Sequence, residues 1–140
     1  MYVLDTSVLS AQMAVTPPPA VASWIRSQPR QLLYTTAINQ AEILAGVAVL
    51  PAGRRRAWLE RQAAAIFNLD LAHRPLAFDE LAAEAFGEVI GLRRLAGRPT
   101  EAVADLMIAA IARVHGATVV TRNTADFEHC GVQFVDPWSA

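Results

Sequence analysis

The sequence contains no lysine; all 12 of its basic residues are arginine. That absence excludes chemistries built on a lysine amine or ammonium: the phosphate-binding P-loop, Schiff-base catalysis and attachment of pyridoxal phosphate. Cysteine is almost missing too. Cys130 alone permits neither an internal disulfide nor a thiolate metal cage, and suits a reducing compartment. The three histidines, His73, His115 and His129, are scattered without zinc-ligand spacing or a partner for nucleophilic catalysis. Charge is sparse and balanced, 12 cations against 13 anions for a formal net charge of −1, which excludes a globally basic nucleic-acid coat but not a local basic patch. Long apolar runs are lacking: the longest, Leu106 to Ala112, is far short of the ~20 residues a membrane span needs. The opening Met1-Tyr2-Val3-Leu4-Asp5 has no signal-peptide character. With 54% apolar residues in 140, the expectation is one soluble cytoplasmic domain spanning 1–140, with no membrane partner.

What is present alternates. Short apolar runs at Tyr2–Leu4, Leu32–Thr36, Leu76–Phe78, Thr118–Thr121 and Gln133–Val135 predict strands. Helical patterns lie between them at Val8–Ala14, Ala20–Ser27, Ala37–Leu50, Arg54–Phe67, Asp79–Leu95 and Thr100–Val114, with a short turn near Thr124–Phe127. Continuously apolar strands alternating with helices predict an α/β fold in three layers, a parallel sheet of four to five strands covered on both faces.

Ligands in such folds bind beyond the carboxyl ends of the strands. Four acids fall there, or where burial is costly. Asp5 directly follows the first strand; it reads as a ligand or as a helix N-cap, although Thr6 and Ser7 could cap instead. Glu42 lies on a helix apolar nearly all round, which predicts a buried helix, and shares a stripe with Asn39 and Gly46; the other reading is a partly exposed glutamate. Asp105 is the only polar residue between Ala102 and Ala112, in a first turn for which Thr100 already offers a cap. Asp126 follows the fourth strand, where Asn123 and Asp126 also fit a capping box. Two carboxylates about 4 Å apart repel by roughly 4 kcal/mol at an effective dielectric near 20. A group of them therefore needs protons or a divalent cation. All-oxygen ligation without paired His or Cys suits Mg²⁺ or Mn²⁺, ions that serve phosphoryl chemistry.

The segments Val3-Leu4-Asp5-Thr6-Ser7, Ala41-Glu42-Ile43-Leu44-Ala45-Gly46, Ala104-Asp105-Leu106-Met107-Ile108-Ala109-Ala110 and Thr121-Arg122-Asn123-Thr124-Ala125-Asp126-Phe127, with the tail Val135-Asp136-Pro137-Trp138, resemble a PIN domain. The likeness is to toxin ribonucleases of the VapC type, especially their FitB-like branch, and runs over essentially the whole chain. It implies a parallel sheet with an acidic Mg²⁺ or Mn²⁺ cleft and endonucleolytic cleavage of RNA, with transfer RNA a candidate target. It also implies a homodimer, a VapB/FitA-like antitoxin, a larger assembly of the two, and contact with DNA only through the antitoxin. By the same resemblance Asp5 and Asp105 are metal ligands, and Glu42 is a ligand or water-orienting base. Asp126 is the fourth acid, while Thr6, Thr121 and Asn123 hold the carboxylates or the scissile phosphate. The sequence departs from some FitB-like proteins in having Asn123, not an acid, at one of the two positions used for the fourth carboxylate.

Two lysine-using alternatives, a haloacid-dehalogenase-like phosphatase and a response-regulator receiver, are excluded by composition. A PIN-like module that binds RNA or antitoxin without cleaving is the remaining alternative. Arg54-Arg55-Arg56, Arg93-Arg94 and Arg98 are the cations available for RNA phosphates or an acidic antitoxin surface, unless they are simply a solvated face. Trp24, Trp58 and Trp138 read as core or dimer-interface residues, and Cys130 as a small apolar filler.

Overall fold

Three-residue strands can be central only if neighbours satisfy both of their edges, and a parallel sheet supplies that. The computed structural model describes residues 1–140. Its strands are β1 (Tyr2–Leu4), β2 (Leu33–Thr36), β3 (Pro75–Leu76), β4 (Thr118–Val120) and β5 (Gln133–Val135). They pair in the order β3-β2-β1-β4-β5, every pair parallel, with Val3 opposite both Tyr34 and Val119. The helices are α1 (Thr6–Gln12), α2 (Pro19–Ser27), α3 (Ala37–Ala48), α4 (Arg54–Ala65), α5 (Glu80–Leu95) and α6 (Val103–His115).

Successive strand side chains point to opposite faces, so the sheet divides the core in two. Leu4 and Val120 pack with Val8 and Leu9 of α1, Val21 of α2 and Ala63 of α4. Val3 and Val119 pack on the other face with Val89 of α5 and Leu106, Ile108, Ala109 and Ala112 of α6. This is the expected three-layer α/β arrangement, with five strands.

Several boundaries differ from expectation. Leu32 belongs to a 3₁₀ turn, Arg30–Leu32, so β2 starts at Leu33. The third strand is only Pro75–Leu76; Phe78, expected within it, instead packs edge-to-face on Phe86 at 6.1 Å. Regular helix from Arg54 ends at Ala65 and continues as a π turn, Ile66–Asp70. Thr100 does not open the last long helix. Its hydroxyl accepts from the Ala102 N–H at 3.1 Å in a preceding turn, and α6 starts at Val103. Helix α3 is not buried as its composition predicts: only Asn39, Ile43 and Val47 are, while Leu44 is 49% exposed. The physical reason is that one stripe of α3 meets α1 and α4, and small alanines tolerate water on the rest.

No helix is long and apolar enough to cross a membrane.

Candidate functional site

From β1 the chain moves to β2 and β3 on one side and later to β4 and β5 on the other. The boundary between β1 and β4 is thus a topological switch point, where open α/β sheets form a crevice beyond their strand ends. Asp5 stands there, 2% exposed, its N–H donating to the Val120 carbonyl at 2.9 Å. It occupies the N-cap position of α1, yet its carboxylate caps nothing. Instead Oδ2 accepts from the Thr121 hydroxyl at 2.7 Å and Oδ1 from Asn39 Nδ2 at 3.0 Å.

Asn39 is the hub of the network. Completely buried in the first turn of α3, it also donates to Thr6 Oγ1 at 3.0 Å, and its Oδ1 accepts from the Thr36 hydroxyl at 2.6 Å. Thr36 in turn caps α3 by accepting from the Asn39 N–H. Thr6 passes the chain of hydrogen bonds on, donating to Glu42 Oε1 at 2.8 Å. Thr121 accepts from the Asn123 N–H at 3.0 Å, and Ser7 Oγ accepts from the Arg122 N–H at 3.2 Å, tying the segment after β4 to α1.

Asp105 enters from the opposite layer. A crossover helix runs antiparallel to the strands it serves, so the first turn of α6, preceding β4, lies at the strands' carboxyl ends. The Asp105 carboxyl is pushed up from 3.8 to about 7. Burial is the main cause, followed by the Asp5 charge, a hydrogen bond with Asp126, and the Asp126 and Glu42 charges. Asp105 therefore stands close enough to Asp5, Glu42 and Asp126 to feel the charge of each. Asp126 sits in the 3₁₀ turn Thr124–Asp126, where the alternative reading, a capping box with Asn123, does not form: Asn123 makes no side-chain cap. No group of three or more acid, His or Cys side chains is preassembled as a metal cage. None of the four acids joins an ion pair; the pairs present are Arg56–Glu60, Arg98–Glu128 and Arg113–Glu88.

Beside Thr6 and Glu42 opens a cleft of about 560 Å³ between α1, α3 and α4, with Gly46, Trp58 and Arg55 in its walls. The basic clusters are partly re-sorted. Arg54, Arg55 and Arg94 are exposed, but Arg93 is 6% exposed and faces no solvent. The last turn of α5 folds against the segment after β4, so a residue expected on a basic surface lies in the core. Cys130 is buried as expected, its thiol near the Asp126 carbonyl at 3.6 Å and its pKa raised chiefly by burial. Trp24 and Trp138 pack against the core that includes Leu4, and the Trp58 indole donates to the Met13 carbonyl.

Asn39, Thr36 and Arg93 were not among the expected site residues. The stripe shared by Asn39 and Glu42 was the available signal for the first.

The family described as PIN domain matches residues 2–132. Over its whole length the chain is 39% identical to the whole of the plasmid stability protein StbB of Pseudomonas syringae pv. tomato. It is 37% identical to the VapC ribonuclease Y4jK of Sinorhizobium fredii, over 99% of this chain and 98% of that protein. To toxin FitB of Neisseria gonorrhoeae it is 36% identical over 99% of each. Among solved structures, a chain of FitAB bound to an IR36 DNA fragment superposes with a TM-score of 0.90 at 33% identity, covering 99% of this chain and 96% of that one.

Proposed function

The chain belongs to the PIN-domain family, and on that premise we propose that it is the toxin of a toxin–antitoxin pair, a divalent-metal-dependent endoribonuclease. The observation that carries this reading is the gathering of Asp5, Glu42, Asp105 and Asp126 at the carboxyl ends of β1 and β4 with no cation paired to them.

The donor set fits Mg²⁺ or Mn²⁺. It is all carboxylate and hydroxyl oxygen, it is open, and the Asp105 carboxyl is pushed up to about 7 by burial first and by the neighbouring acids second. Mg²⁺ is commonly held by one or two carboxylates plus substrate phosphate rather than by a closed protein cage. Asp5 and Asp105 would be those carboxylates. When bound, the ion supplies charge stabilisation at the phosphoryl oxygens and lowers the pKa of a coordinated water. Asn39 and Thr121 keep both oxygens of Asp5 fixed, so the carboxylate keeps its position when it loses repulsive company or gains a ligand. Glu42, held by Thr6, or Asp126 orients the attacking water and accepts its proton. Attack on phosphorus breaks the bond to O3′, leaving a 5′-phosphate and a 3′-hydroxyl. Asn123, next to Thr121, is available to the scissile phosphate, and exposed Arg54, Arg55 and Arg94 to flanking ones.

The FitAB–DNA complex supports a cognate antitoxin as partner, and we propose that DNA is reached through that antitoxin. A homodimer, a larger assembly and a cytoplasmic setting for the single 1–140 domain complete the proposal. The test is cleavage of a pool of cellular RNAs by the antitoxin-free protein with Mg²⁺, with Mn²⁺ and with EDTA. Cleavage in either metal, abolished by EDTA and leaving 5′-phosphates, is expected. Binding of RNA without cleavage in any metal would instead identify a binding module.

A further inference from the structure

Arg93 breaks the usual rule for buried charge. Its guanidinium, on the last turn of α5, has no carboxylate within ion-pair distance, and its Nε is buried without a hydrogen-bond partner. One terminal nitrogen, Nη1, donates to two backbone carbonyls, Ala125 at 3.1 Å and Glu128 at 2.7 Å. A buried arginine that served packing alone could be replaced by an apolar side chain without that desolvation cost. Those carbonyls bracket Asp126. The turn is further pinned by the Asp126 N–H donating to Asn123 O and by Cys130 Sγ close to Asp126 O. From the other side, the Arg98 N–H donates to Arg93 O while its guanidinium meets Glu128.

We propose that Arg93 is a positioning residue for the metal site: by gripping the carbonyls on either side of Asp126 it aims that carboxylate at Asp105. This rests on the reading of Asp5, Asp105 and Asp126 as a metal centre. No arginine side-chain contact with RNA is involved, since the guanidinium is enclosed.

The experiment measures Mn²⁺ affinity and RNA cleavage by the full chain for Arg93→Met and Arg93→Lys, each alone and combined with Asp126→Asn, with Asp105→Asn as reference. Folded Arg93→Met is expected to bind Mn²⁺ about tenfold more weakly and to lose kcat to a similar extent with KM for RNA unchanged. On the Asp126→Asn background the same substitution should cost nothing further. Arg93→Lys keeps one terminal donor for those carbonyls and should show a smaller loss of the same kind, which carries the test if Arg93→Met fails to fold. Unaltered Mn²⁺ affinity and kcat in the folded variants, with binding lost in Asp105→Asn, overturns the role of Arg93 alone. An equal loss with and without Asp126 also overturns it. Mn²⁺ binding that survives Asp105→Asn overturns the metal centre itself, and the proposal with it.

Discussion

A carboxyl that holds its proton to about pH 7 makes Asp105 the most informative single residue. Its folded pKa is raised above the 3.8 of a free side chain, so between those values the folded state holds a proton the unfolded state has released. Without metal, stability from this group is therefore greatest below about pH 4, falls as pH rises towards 7, and is level above. Asparagine at this position is neutral at every pH and can still donate to Asp126. Asp105→Asn should thus raise the metal-free stability at pH 8 by roughly 1–2 kcal/mol, discounted for partial exposure, or several degrees in Tm. The gain should fade by pH 4. Melting curves in EDTA at the two pH values check this, and equal Tm values at pH 8 would contradict it. Asp105 was legible in the sequence because it interrupts an otherwise apolar stretch. Asn39 and Arg93 were harder. A polar residue's partners lie in distant segments, Asp5 from β1's end and the 125–128 carbonyls from β4's, and no local pattern encodes them.

At the scale of elements, the helices end where their local chemistry says they should. Gly116 closes α6 at φ 61°, ψ 28°, a left-handed conformation that costs other residues a clash of Cβ with the backbone. Gly116→Ala should lower stability by about 1 kcal/mol, read as a shift of the urea midpoint with unchanged m-value; no shift would remove the capping argument. Asp79 likewise caps α5 as its sequence position suggests, its Oδ1 accepting from the Ala82 N–H. The order of strands and helices was legible because apolar runs and periodic stretches alternate. The ends were not always so: Thr100 looks like an N-cap, but its hydroxyl accepts from the Ala102 N–H in a preceding turn, and α6 begins at Val103 with Asp105 in its first turn. The exposure of α3 was also hidden, since alanine composition does not say which side of a helix meets the sheet.

For the molecule as a whole, a parallel sheet with its switch point between β1 and β4 gathers residues 5, 42, 105 and 126 from four separated segments into one acidic crevice. A net charge of −1 gives no general attraction to RNA, so the proposed binding would draw on exposed arginines such as Arg54, Arg55 and Arg94. If the crevice is the catalytic centre with Asp5 at its root, as proposed, RNA cleavage in Mn²⁺ by Asp5→Asn beside the unchanged chain will show it. Asparagine can keep its oxygen on Asn39 Nδ2 and donate its amide to the Thr121 hydroxyl, so the variant should fold, with a closely similar circular dichroism spectrum. At least a hundredfold loss of cleavage is expected in that folded protein; cleavage within a few-fold of the unchanged chain would place catalysis elsewhere.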